Sequence, residues 1–220
     1  MFFATKYIPD PGDSPAPYFL HLALPFFAIK GLREAGVWTL MNIFWAFILI
    51  PAADYVVGVD TFNKAEGEYK ALRGRLGFRL STLSFLPAQV CLITYGCYAV
   101  NYMEISMLEL VGFTLSVGVY TGGVGICVSH ELVHKSTKLE QWAGRMVCVA
   151  ISYGHFYVEH NRGHHKMVAT DEDPATARFD ENFYSFLPRC VLGSLESAWG
   201  LEVERCRQRR LPFWCNEMLW

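Results

Sequence analysis

The sequence predicts an all-α membrane protein with about four transmembrane helices and a histidine cluster on one side of the bundle. Three observations predict it. Of 220 residues, 52% are apolar and 15% aromatic, while only 18% are charged, against about a quarter charged in an ordinary soluble domain. Several stretches long enough to span a bilayer carry no charge at all. Six of the seven histidines fall between His130 and His165. The net charge of -2 gives no basic surface for nucleic acid. The aliphatic and aromatic load excludes intrinsic disorder, and seven cysteines scattered through apolar stretches do not form a secreted disulfide pattern.

A spanning helix needs about 20 mostly apolar residues, because in lipid the backbone must satisfy its own hydrogen bonds. The first candidate, Ser14 to Ile29, is short and contains Pro15, Pro17, His21 and Pro25, so a kink at Pro25 is expected. Ala35 to Ala53 is uncharged between Glu34 and Asp54, Leu80 to Met103 between Arg79 and Glu104, and Leu110 to Ser129 between Glu109 and the first histidines. The loop before the third span holds Lys64, Lys70, Arg73, Arg75 and Arg79, whereas Asn101 to Glu109 holds no Lys or Arg. The positive-inside rule therefore places the basic loop in the cytoplasm and delivers everything after Ser129 to that side. No basic segment precedes a short apolar core at the N-terminus, so no cleaved signal peptide is expected. Trp142 to Tyr157 is too short to cross and would separate the histidines. It is expected to lie at the interface or beneath the bundle. The tail from Glu202 to Arg210 reads as a solvated, basic-edged helix, and the whole of 1–220 as one membrane domain.

The first histidine group is HELVHK, 130–135. At about 100° per residue, His130 and His134 lie about 40° apart on one helix face, within reach of one metal. The competing reading pairs Glu131 with Lys135 and leaves the histidines at the membrane surface. The second group is EHNRGHH, 159–165, where His160 and His164 repeat the spacing, His165 adds an imidazole, and Gly163 leaves room for backbone or metal. Together the two groups point to metal binding. His155 lies off the ligand face and is expected to pack or to support a ligand, and His21 is expected to be structural. Five imidazoles exceed the usual three protein ligands of catalytic zinc. Ligand type alone leaves zinc, copper, iron and nickel open. The number favours a binuclear site, and the membrane setting favours non-haem iron working with dioxygen.

HELVHK followed by GHFYVEHNRGHHKMVATDEDPATAR (154–178) resembles the integral-membrane alkane 1-monooxygenases, histidine-box di-iron enzymes related to membrane fatty acid desaturases. The three-residue gap in HNRGHH differs from the His-x-x-His-His box common in desaturases. The likeness extends more weakly to the Asp54–Asn63 turn, the spans and WGLEVER (199–205). The resemblance implies six spans, two non-haem irons, O2, a medium-chain n-alkane hydroxylated at its terminal carbon, and electrons from rubredoxin and its reductase. It implies His130, His134, His160, His164 and His165 as iron ligands. The family also has an isolated histidine and a third histidine box beyond the position of Trp220. Ile105 stands where an echo of the former at Asn101–Glu104 would need its histidine. The expectation is therefore an incomplete domain, inactive alone.

Glu131, Glu159 and Asp173, together with Asp171 and Glu172, are candidate acceptors for ligand N–H groups, although Asp173 before Pro174 also suits a plain turn. Arg162 is expected to pair with one of these acids or to meet the electron donor. Three other readings compete. His130, Glu131 and His134 satisfy H-E-x-x-H of a membrane zinc protease, with Glu131 as base, but this leaves the second group unexplained. A lipid desaturase or another hydroxylase of the same di-iron class is nearer. A non-catalytic remnant is the third.

Overall fold

The computed structural model describes residues 14–59, 72 and 74–219. Lys64, Lys70 and Arg73 of the basic loop, and the Asp54–Asn63 turn beyond Val59, lie outside the described residues. Every regular element among the described residues is helical. The chain divides into two compact units, one ending at Val147 and one beginning at Cys148, and each is described by itself.

In the first unit, 3-10 turns at Ala16–Leu22 lead into α1 (Ala23–Glu34). Pro15 and Pro17 lack the N–H groups of a regular first turn, so the tighter form opens the helix. Leu24, Ala28 and Leu32 recur every four residues and bury one stripe of α1. After Ala35 and Gly36, both at positive φ, α2 (Gly36–Val57) follows, then α3 (Leu76–Tyr102) and α4 (Met107–Val133). These three are the described helices long and apolar enough to cross a membrane. At about 1.5 Å per residue they run roughly 33 to 40 Å, enough for the hydrocarbon core. α2 runs four residues past Ala53, α3 starts four residues before Leu80, and α4 passes the Leu110–Ser129 run at both ends. The Ser14–Ile29 segment is helical as expected but is not among the three, since its helix runs on through Lys30, Arg33 and Glu34.

Phe85, Leu92 and Ala99 of α3 meet Phe113 and Tyr120 of α4 and the α1 stripe in one core. Phe47, Ile48 and Tyr55 of α2 stay exposed, as lipid-facing residues do. Close helix approach rests on small residues. A Cβ on Gly112 of α4 would come within 2.2 Å of the Thr39 hydroxyl on α2, and one on Gly31 within 2.2 Å of the Trp38 carbonyl. Beside these contacts the Asn42 amide donates to the Ser116 carbonyl at 3.0 Å, and the Ser116 hydroxyl donates to the Thr39 carbonyl at 2.5 Å. Ser106 and Glu109 close a capping box at the start of α4, and Glu109 also accepts the Gly36 N–H at 2.9 Å. His21 is structural as expected. Its ring stacks 6.3 Å from Tyr120, and its Nε2 meets the Ser81 carbonyl at 3.0 Å.

α5 (Lys138–Val149) has 12 residues, about 18 Å, too short to cross, as expected for the Trp142–Tyr157 stretch.

The second unit holds α6 (156–167), a loop, and α7 (Phe183–Gln208), which Asn182 caps by accepting the Ser185 N–H at 3.1 Å. Ser194, Ala198, Glu202 and Cys206 recur every four residues as the buried stripe of α7. This corrects the solvated tail expected over Glu202–Arg210 at Glu202 and Cys206, while residues 207–210 are exposed as expected. The helix starts at Phe183, and Glu202 is fully buried because arginine side chains neutralise its charge there.

Candidate metal centre

The first histidine pair sits where α4 runs out of apolar sequence. His130 lies in its last turn and His134 is its C-cap, with φ -87° and ψ -5°. Their ring centroids are 4.7 Å apart with planes at 79°, the face-sharing that i,i+4 spacing predicts. Both are exposed. Glu131 is tied to Lys135, the i,i+4 ion pair that the competing reading expected.

The turn after His134 is fixed from two sides. The Glu140 carboxylate, 2% exposed, accepts Arg79 Nε from α3 at 3.0 Å and the Thr137 hydroxyl at 2.5 Å. Burial pushes its pKa up, but these hydrogen bonds and the Arg79 charge bring it below the usual carboxylate range. The Ser129 hydroxyl donates to the Gly144 carbonyl at 2.8 Å. A Cβ on Gly144 would meet Leu132 and Val133 at 2.9 Å, so α5 packs directly on the end of α4. A cavity of about 360 Å³ opens beside His134, lined among others by Arg79, Lys135 and Glu140.

The second group departs from a regular α-helix. Residues His160–His164 form a π turn, in which the His165 N–H donates to the His160 carbonyl five residues back. The rings of His160 and His164 stack 5.4 Å apart at 18°. His160 Nε2 and His165 Nε2 stand 3.1 Å apart. Two nitrogens each bound at about 2.0–2.1 Å to one ion would be separated by about 3 Å, so this pair fits two corners of a coordination sphere. Spacing alone pointed to His160 with His164, whereas the π turn aligns His160 with His165 as well.

His164 is oriented by Asp173. Its Nδ1 lies 2.8 Å from Asp173 Oδ2, and the aspartate side chain is fully buried. Burial pushes the Asp173 pKa up, but hydrogen bonds from the Thr176 hydroxyl, the Ala175 N–H and His164 outweigh it and hold the carboxyl below its ordinary value. An ionised carboxylate only accepts, so His164 Nδ1 carries the proton, and it is Nε2 that the neutral ring has left to offer a metal. Asp173 also starts the turn that its place before Pro174 suggested, accepting the Ala175 N–H at 2.9 Å and the Thr176 hydroxyl at 2.5 Å. Asp171 and Glu172 are exposed.

Glu159 is 4% exposed; among the described residues neither carboxylate oxygen has a well-formed hydrogen bond, and the Ser197 hydroxyl is the group that faces it. Burial pushes its pKa up. A Cβ on Gly163 would come within 2.5 Å of both oxygens. The room at Gly163 is thus filled by the Glu159 carboxylate, correcting the expectation of backbone or metal there. Arg162 pairs with Glu202 and with Glu217, rather than with Glu159 or Asp171–Asp173. Glu202 in turn takes Arg205 in a bidentate pair at 2.8 Å. His155 packs its ring 4.4 Å from Tyr153 with Nε2 buried and without a hydrogen-bond partner among the described residues, and burial lowers its pKa. It stands as a packing residue.

Three supporting residues escaped the sequence reading. Thr176 closes the Asp173 turn, and Arg189 and Glu181 form a pair at 2.5 Å beside it. Among the described ion pairs of the second unit, the i,i+3 spacings of Glu202 with Arg205 and of Glu204 with Arg207 were the readable signals.

Compared with known proteins, residues 106–220 match the fatty acid desaturase family model. The chain belongs to the fatty acid desaturase family. This desaturase-family chain is 35% identical to alkane 1-monooxygenase 2 of Pseudomonas aeruginosa over 91% of its own length and 54% of that protein. It is 36% identical to an alkane 1-monooxygenase of Acinetobacter baylyi over 78% of its length and 42% of that protein. It is also 26% identical to the xylene/toluene monooxygenase hydroxylase component XylM of Pseudomonas putida, over 49% of the chain and 29% of that protein. The chain spans about half the length of the alkane 1-monooxygenases it matches over most of its own length. Family membership and a histidine donor set of this kind point to an integral membrane protein with a metal centre, and iron is the metal that fits.

Proposed function

We propose that the protein is a membrane di-iron monooxygenase that hydroxylates the terminal carbon of medium-chain n-alkanes, using O2 and electrons from rubredoxin and its reductase. The observation that carries this reading is the similarity to alkane 1-monooxygenases over about nine-tenths of the chain, running through both histidine groups. His130, His134, His160, His164 and His165 are the proposed iron ligands. Bound iron would supply dioxygen activation at the site.

The chain's own residues do the rest. Asp173 holds the Nδ1 proton of His164 and so presents Nε2 outward. The π turn brings His160 and His165 nitrogens to ligand separation. The apolar spans give a hydrocarbon substrate an apolar phase that reaches His130 in the last turn of α4. α3 and α4 make two crossings, so the basic loop before α3 and the histidines after α4 share one side. By the positive-inside rule that side is the cytoplasm, where rubredoxin would dock.

The family match supports a second reading, a lipid desaturase or hydroxylase using the same ligands. The pairing of Glu131 with Lys135 argues against a zinc protease with Glu131 as base.

The test is expression with rubredoxin and its reductase, measuring iron per chain and the products from octane and from membrane lipid. Iron with 1-octanol supports the proposal, and unsaturated or hydroxylated lipid alone replaces it with the second reading. His134→Ala and His164→Ala are expected to abolish product and lower bound iron while membrane insertion persists. Normal iron and turnover in both variants would remove these residues from the site.

A further inference from the structure

The Asp173 carboxylate is held by a short loop, and that loop has no regular structure of its own to fix it. Its grip on His164 depends on two neighbours, the Ala175 N–H and the Thr176 hydroxyl. The carbonyls on either side of Ala175 are in turn taken by one side chain. Arg189 Nη1 donates to the Pro174 carbonyl at 3.2 Å, and Nη2 to the Thr176 carbonyl at 3.0 Å. The remaining donors go to Glu181, with Nε at 2.7 Å and Nη2 at 2.5 Å. The guanidinium also lies 5.5 Å from the Phe186 ring centroid. A second contact seats the same loop, since a Cβ on Gly193 would fall 2.8 Å from Pro174 Cβ. Phe186, Arg189 and Gly193 follow i, i+3, i+7 spacing, one stripe of α7. The loop therefore rests on a helical platform whose only ionic member is Arg189.

We infer that Arg189 is a positioning residue for the proposed metal ligand His164, acting through the 173–176 loop. The inference rests on the reading of His164 as a ligand. Surface ion pairs generally contribute little, but this guanidinium spends two donors on carbonyls that flank the residues gripping Asp173. Its planar fork reaches two carbonyls and a carboxylate together, which a lysine ammonium on one flexible stem does not. Removing it frees the loop, spreads the position of Asp173, and loosens the orientation that makes His164 a good ligand. Partners of a metal-bound histidine are typically worth ten- to hundredfold in metal affinity, and a residue one step further out is expected near the lower end.

The experiment compares wild type, Arg189→Gln, Arg189→Lys and His164→Ala in detergent micelles. Amide hydrogen exchange is followed on metal-free protein, and cobalt(II) affinity by titration of the d–d absorption. Arg189→Gln is expected to speed exchange at 173–176 at least tenfold, to leave α3 and α4 unchanged, and to weaken cobalt binding about tenfold. Arg189→Lys is expected to fall between Gln and wild type in both readouts, and it carries the test alone if Arg189→Gln does not fold. Faster loop exchange with wild-type cobalt affinity would overturn the inference, leaving Arg189 as a staple of the loop only. Unchanged exchange would overturn it equally. If wild type binds cobalt no better than His164→Ala, His164 is not a ligand, and the failure lies in the functional reading whatever the loop does.

Discussion

Replacing Asp173 with Asn keeps the volume of a fully buried side chain and changes only which hydrogen bonds it can make. The carboxylate accepts from His164 Nδ1 at 2.8 Å, from the Thr176 hydroxyl at 2.5 Å and from the Ala175 N–H at 2.9 Å. An amide has one oxygen, which is best used on the Ala175 N–H because that backbone donor cannot reorient. The NH2 then occupies the place of Oδ2. Thr176 adapts by rotating its hydroxyl to accept. His164 can adapt only by moving its proton to Nε2 and accepting at Nδ1, which occupies the nitrogen that a metal needs. Metal binding must reverse that tautomer and set two donors face to face. The expected loss is ten- to hundredfold in affinity, about 1.4 to 2.8 kcal/mol, while the metal-free protein loses only about 1 kcal/mol of stability. Cobalt titration reads the first, denaturant unfolding the second, and long-range 15N–1H correlation on histidine-labelled protein reads the tautomer. Wild-type affinity, or a proton that stays on Nδ1 in the variant, would refute the reasoning.

Gly163→Ala drives a Cβ to within 2.5 Å of the Glu159 carboxylate. It is expected to cost about 2 kcal/mol in unfolding experiments, with Glu159→Ala restoring part of that loss in the double variant. Glu202→Ala strips the buried partner from Arg162 and Arg205 and is expected to cost on the order of 3 kcal/mol, read as a lower melting temperature with faster exchange across 156–167. The Glu181 carboxyl is held down to about 2 by Arg189 first and then by the Arg178 N–H. Its unfolded value is about 4.3, so its contribution is complete above that pH. Protection of the 174–181 loop should fade as pH falls from about 4.3 toward 2, and Glu181→Gln should reduce that pH dependence, the remainder belonging to Asp173.

Much of the fold was legible because membrane spans are written in composition. An uncharged run between Glu109 and His130 can hardly be anything but α4. The ligand groups were legible because imidazoles four apart on a helix share a face, and His130 with His134 met that geometry directly. The prolines at 15, 17 and 25 hinted at the irregular start of α1 but not that its helix would carry on past Lys30. Glu202 was misread because a charge in an amphipathic tail suggests solvent, and its neutralising partner Arg162 lies 40 residues upstream. Arg189 and Glu181 left no trace, since their pairing crosses the capped start of α7 and belongs to no helical spacing. The π turn is a tertiary outcome, and only Gly163 marked the place where backbone and Glu159 come together.

That turn also bears on how such a motif can change length. HNRGHH carries one residue more between its leading and following histidines than His-x-x-His-His does. In a regular helix an added residue rotates everything beyond it by more than a quarter turn and would swing the trailing imidazoles off the face. Here the widened turn takes up one residue locally, so the chain leaves it with His165 still opposite His160. An insertion is absorbed as a bulge, and excision of Asn161 with a return to ordinary winding would bring the flanking donors back into line. The box is therefore gauged by where its nitrogens emerge, not by the number of letters between them.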